Sequence, residues 1–182
     1  MMPTPTEILD FWYADDMRAK WFASTPALDA EIKERFEHVW EAALRGALKE
    51  WLSSAEGCLA LVIILDQLPL NMFRGTAKSF SSEAKSREVA QHAIQQGFDK
   101  QVEHTRLAFL YMPFMHSENF ADQDLSVALF EAAGLENNVR FAKHHREIVQ
   151  RFGRFPHRNE ILGRTSSPQE LDYLHSKEAF KG

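Results

Sequence analysis

Apolar residues recur along this chain at steps of three and four, not two. Ile32, Phe36, Trp40, Ala43, Ala47 and Trp51 fall on one stripe of a helix, which predicts a long amphipathic helix after Thr25-Pro26. A shorter helix is predicted earlier, where Thr4-Pro5-Thr6-Glu7 forms a capping box with Pro at the first helical position. It should bury Ile8, Leu9 and Trp12. The run Leu59 to Leu65 is apolar all round. No alternating segment elsewhere offers it a strand partner, so it reads as a central helix capped by Ser53 or Ser54. Leu68-Pro69 is expected to end that helix, because the residue before Pro avoids the helical region. Leu70 to Phe80 then reads as an ordered loop.

Ser81 or Ser82 should open the next helix and Gly97 close it. Asp99 is expected to cap another, which buries Val102, Phe109 and Leu110 and breaks near Pro113. Ser117 is expected to cap a helix with Leu125, Ala128, Leu129 and Ala132 inward and Gly134 as terminator. A further helix runs from about Glu136 to Phe152, and the capping box Ser167-Pro-Gln-Glu170 opens the last. Consecutive helices with short loops pack as antiparallel neighbours. Residues 1–182 therefore read as a single all-α domain of about eight helices, a bundle or a stack of antiparallel helical hairpins. The tetratricopeptide repeat of about 34 residues does not show in the periodicity.

Composition narrows the function classes. The chain has 182 residues and a formal charge of −5, so it is no generic nucleic-acid binder. The charge is uneven, however. Arg140, Lys143, Arg146, Arg151, Arg154, Arg158 and Arg164 against Glu147 and Glu160 leave that segment at +5, and the remainder at −10. A single cysteine, Cys58, excludes an intrachain disulfide and suits a reducing cytoplasm. The opening residues lack the basic and apolar regions of a signal peptide. The apolar run Cys58 to Leu65 is far shorter than the roughly 20 residues that cross a bilayer.

Several chemistries lack their signatures. There is no G-x-G-x-x-G, no Walker-type phosphate loop, no G-x-S-x-G and no H-E-x-x-H. No His precedes Asp and no Glu-x-x-His occurs, which argues against metal phosphohydrolase and ferritin-like di-iron sites. His144 and His145 are adjacent, so they leave a helix in different directions and chelate poorly. No cofactor and no metal site are expected.

Three polar clusters remain. The first is Asp66-Gln67, followed by Asn71 and Arg74; an Asp and a Gln at the end of an apolar helix need partners. The second is His116-Ser117-Glu118 with Asp122. The third is Arg151-Phe-Gly-Arg-Phe-Pro-His-Arg-Asn159, with Arg164 just beyond. Gly153 and Pro156 shape its backbone, and Phe152 and Phe155 can anchor it. The third cluster should fold back onto the first two, because its arginines need carboxylates and a buried Asp66 needs a cation.

At these clusters the chain resembles a bacterial family catalogued as domain of unknown function 924. The segments that carry the resemblance include Ile8-Leu-Asp-Phe-Trp12, Leu65-Asp-Gln-Leu-Pro69, Asn71-Met-Phe-Arg-Gly-Thr76, Tyr111 to Glu118, and Arg151 to Asn159 with Ile161-Leu-Gly-Arg164. The resemblance implies a tetratricopeptide-like all-α fold and brings no established activity with it. Leu70 departs from the family pattern, which usually has Arg there.

Two function classes fit. One is a binding module whose groove, lined by Asn71, Arg74, Arg151, Arg154, Arg158, Asn159 and Arg164, takes an anionic small molecule or a peptide carboxylate. The other is a small hydrolase or transferase, with His157 or His116 as acid or base oriented by Asp66 or Glu118. Against both stands a purely structural clasp of arginines neutralised by the chain's own acids. Neither class involves nucleic acid or a membrane; nucleic-acid binding is a third, weaker reading, since the basic segment lacks a recognition motif.

Overall fold

A computed structural model describes all residues 1–182. It is all-α, 70% helical with no strands and nine helices. They are α1 Pro5–Tyr13, α2 Asp15–Arg18, α3 Pro26–Leu44, α4 Ala55–Met72, α5 Glu83–Gln95, α6 His104–Met115, α7 Phe120–Ala132, α8 Glu136–Phe152 and α9 Pro168–His175. Short 3-10 turns stand at Lys49–Ser53, Ala77–Phe80, Phe98–Lys100 and Pro156–Arg158. The chain groups into two compact units, Met1–Arg74 with Lys78–Pro113, and Gly75–Ala77 with Phe114–Gly182.

In the first unit α4 is the core element. Ser54 Oγ accepts from the Gly57 amide at 3.0 Å and caps its start. Every residue from Gly57 to Pro69 is buried. Pro69 does not end this helix. Ile63–Gln67 form a π turn, in which the Leu68 amide reaches back to Ile63 O, and the chain resumes an α-helix over Leu68–Met72. Pro69 falls in the first turn after that widening, where its missing N–H is tolerated. The resulting helix, Ala55–Met72, is long and apolar enough to cross a membrane, yet 83% of it is buried inside the protein. That burial is what a core helix shows.

Three other expectations change in this unit. Helix α3 stops at Leu44 because Gly46 takes φ +74, so Ala47 is exposed and Trp51 moves into the 3-10 turn. Asp99 is no cap: it is buried in the turn Phe98–Lys100 and accepts from Tyr111 Oη at 2.8 Å. Helix α6 starts only at His104 and carries Pro113 inside its last turn.

In the second unit α7 and α8 pack against each other. Asn119, not Ser117, caps α7, through Oδ1 to the Ala121 amide at 2.9 Å. The inward face is Gln123, Ser126 and Phe130, while Ala128 and Ala132 are exposed. The polar Gln turns inward because its Nε2 donates to Met115 O at 2.8 Å and Ser117 O at 2.6 Å, carbonyls that the end of α6 leaves open. Helix α8 spans the predicted residues and buries Val139, Ala142, His145, Ile148 and Val149. The predicted capping boxes are both present, at Thr4 and at Ser167.

Candidate functional site: an arginine–carboxylate clasp

The basic segment begins where α8 ends. Gly153 adopts φ +71, a conformation that L side chains rarely take, and turns the chain out of the helix. Phe155, 1% exposed, then plugs into a small core with Ile148, Val149 and Tyr173. Burying a Phe contributes about 2–3 kcal/mol, enough to hold a short segment down. Pro156 opens the 3-10 turn that carries His157 and Arg158.

The side chains hung on this backbone form one continuous polar chain. Arg154 grips Glu170 with two prongs, Nε to Oε2 at 2.9 Å and Nη2 to Oε1 at 2.8 Å, and Nη2 also donates to Thr165 O. Glu170 accepts from Asn159 Nδ2 at 3.0 Å as well. Asn159 Oδ1 in turn accepts from Arg164 Nε at 3.0 Å. Arg164 completes the series with two prongs on Glu118, at 2.7 and 3.0 Å, and a bond to Phe155 O. The Phe155 amide donates to the same carboxylate. Arg158 donates from Nη2 to His116 O at 3.1 Å and lies over the Phe155 ring.

This network sets the ionisation of its acids. Glu170 is drawn down to about 2, first by its bonds from Arg154, against some desolvation, and then by the Ser167 amide and Asn159. Burial pushes Glu118 up, but the Arg164 bonds and charge, the Phe155 amide and Arg158 outweigh it and hold it below the usual range. Both acids are therefore carboxylates at neutral pH. Each is matched by a forked cation, the geometry that gives an Arg–carboxylate contact most of its strength.

The other candidates have the following surroundings. Arg151 is exposed and makes no ion pair; its guanidinium sits 4.7 Å from the Phe152 ring centroid and 5.8 Å from that of Tyr173. With Phe152, Arg154, Ser167, Gln169 and Glu170 it lines an open depression of about 560 Å³. His157 is half-buried between Phe155 and Phe180, at ring distances of 5.8 and 5.1 Å. Desolvation, then the Arg158 charge, lower it to about 4, against Glu118, which pulls the other way. Asn71 and Arg74 belong to the first unit. There Arg74 forks onto Asp29 at 2.6 and 3.2 Å, and Asn71 Nδ2 donates to the same acid at 2.8 Å. Asp66, also in the first unit, accepts from its neighbour Gln67 at 2.7 Å and lies with the buried Glu83 at carboxylate oxygens within 4.8 Å.

Sequence reasoning brought Arg154, Asn159, Arg164 and Glu118 together but missed two acids. Glu170 was visible only as the fourth residue of a capping box, which hid its second role. Asp29 gave no signal, because its partners stand 42 and 45 residues away.

No curated protein matches the chain. A solved structure described as a protein of unknown function, ATU0120 from Agrobacterium tumefaciens, is similar with 41% identity and a TM-score of 0.88, over 94% of this chain and 96% of that one. The profile of the bacterial proteins of unknown function 924 matches residues 8–178. The chain therefore belongs to that family of bacterial proteins of unknown function.

Proposed function

We propose that the second unit is a binding module for an anionic small molecule or a peptide carboxylate, taken up in the depression beside Arg151. The observation that carries this reading is the difference between Arg151 and its neighbours. Arg154 and Arg164 spend their forks on Glu170 and Glu118, whereas Arg151 holds its guanidinium over two aromatic rings with no acid against it. An exposed fork on an aromatic platform suits a carboxylate or phosphate whose remainder is apolar. Arg154, Asn159 and Arg164 then act as the frame that fixes the depression, and Arg158 anchors it to His116 O. The tetratricopeptide-like reading of the hairpins, and residence in the cytoplasm, belong to the same proposal.

The hydrolase reading has less in its favour. Glu118 spends both oxygens on Arg164, and the His157 ring is packed against Phe155 and Phe180. The test is calorimetric titration and thermal shift with C-terminal acidic peptides and phosphorylated metabolites. Binding is expected to vanish in Arg151→Ala, with helicity unchanged. Binding that survives Arg151→Ala, or no binding across the panel, defeats the proposal.

A further inference from the structure

The segment after α9 returns over the second unit and lies on a set of histidines that the clasp does not use. Phe180 packs on the small core of Ile148, Val149, Phe155 and Tyr173. Its ring is 4.6 Å from His145, 5.1 Å from His157 and 6.2 Å from His144, each edge to face. The Phe180 amide donates to Tyr173 Oη at 2.9 Å, which fixes the backbone over the same place. Gly182 follows so closely that a Cβ added to it would lie 3.4 Å from His157 Cδ2. One apolar side chain therefore covers three imidazoles. An apolar cover favours the neutral ring over the imidazolium, because a charge there loses water without gaining an acid.

We propose that residues 176–182 form an acid-released strap, closed at neutral pH with Phe180 on the rings of His144, His145 and His157, and opened when protonation of His157 makes that cover unfavourable. The groups around these rings support this direction. His157 faces Arg158, Arg164 and His116, which oppose a further charge, and Glu118, which favours it. His145 faces His116, His144 and His157, and its Nδ1 bonds to Phe141 O at 2.7 Å. Glu118 favours a charge on His157, but Arg164 already holds both its oxygens. The strap's own exposed charges are Lys177, Glu178 and Lys181, a net of +1.

The sign follows from linkage. With the strap closed, His157 is lowered from 6.5 to about 4, so the closed state binds fewer protons than the open one. Closure is fully favoured above pH about 6.5 and weakens as the pH falls from there toward about 4, by up to roughly tenfold per pH unit. Arg158 and Arg164 stay beside the ring after the strap leaves. The net loosening at pH 5 relative to pH 7.5 is therefore about tenfold.

Hydrogen exchange of the full chain, with times corrected for the intrinsic rate at each pH, reads this directly. The Phe180 amide is expected to lose about tenfold protection between pH 7.5 and pH 5, while α7 and α8 keep theirs. His157→Phe, which keeps an aromatic ring that cannot titrate, is expected to retain strap protection at pH 5. Equal protection of the wild-type strap at both pH values overturns the proposal, and so does a His157→Phe strap that opens as the wild type does. Nuclear magnetic resonance titration of the histidines covers the case in which His157→Phe fails to fold. In Phe180→Ala the His157 midpoint should climb from about 4 toward 6.5. A midpoint that does not move shows that the strap does not control the ring, and the proposal fails.

Discussion

Arg164 and Glu118 meet across 46 residues of chain in a two-pronged ion pair, Nη1 to Oε2 at 2.7 Å and Nη2 to Oε1 at 3.0 Å. Each side chain keeps about a quarter of its exposure, 24% and 25%. Fully buried pairs cost about 3–5 kcal/mol to break from one side, and exposed ones under about 1. This pair stands between those limits. Arg164→Ala and Glu118→Gln should each destabilise the fold by about 1–3 kcal/mol in urea unfolding. Arg164→Lys should recover little, because an ammonium cannot serve both oxygens, Phe155 O and Asn159 together. A loss below about 0.5 kcal/mol for Arg164→Ala would show the pair to be incidental.

Glu170 makes acid stability testable at a single residue. Its folded value is depressed from 4.5 to about 2, chiefly by Arg154. A depressed carboxylate contributes stability that is complete above its unfolded value and is lost as pH falls through the folded one. The wild-type melting temperature should therefore drop between pH about 4.5 and about 2, and Glu170→Gln should start lower and flatten that slope. Parallel slopes for the two proteins would remove Glu170 from acid unfolding.

Two glycines should respond in different degrees to the same change. Gly57 lies in the first turn of α4, where an added Cβ would stand 2.0 Å from Trp51 O. Backbone cannot give way there, so Gly57→Ala should fail to fold or lose more than about 3 kcal/mol, despite the better helix propensity of Ala. Gly75 has φ +78 with nothing within 4 Å of an added Cβ. Gly75→Ala should cost only about 1–2 kcal/mol, the strain of the left-handed conformation. Thermal melts of the two variants decide; a mild Gly57→Ala would mean that the turn Lys49–Ser53 moves freely.

Helix existence was legible because it rests on local rules. The capping boxes at Thr4 and Ser167, the glycine stops at Gly97 and Gly153, and the apolar run in α4 each state their own outcome. What stayed hidden was set by partners far along the chain. Pro69 argued for an end to α4, and nothing local announces a π turn that lets the helix pass it. Asp99 sits at a plausible cap position, yet Tyr111 Oη claims it. The clasp was half visible: its arginines were dense enough to demand acids, but the choice of Glu170 for Arg154 depends on where α9 lies.

The turn of α7 toward Gln123 gives the last prediction. Its side chain is 0% exposed, and Nε2 serves Met115 O at the end of α6 and Ser117 O just beyond it. An acceptor left buried without its donor costs about 1–3 kcal/mol. Gln123→Met keeps most of the volume and removes the donors, so it should lose about 2–4 kcal/mol in urea unfolding. Gln123→Glu sharpens the test through pH. A carboxylate facing two carbonyl oxygens is repelled, so its folded value must lie above the unfolded value of about 4.3. A raised acid contributes stability that is present below its unfolded value and is lost as pH rises through the folded one. The Gln123→Glu variant should therefore be closest to wild type near pH 4 and fall away toward pH 7, opposite in slope to the contribution of Glu170. A variant whose deficit is the same at pH 4 and pH 7 would mean that the α6 carbonyls do not depend on this side chain.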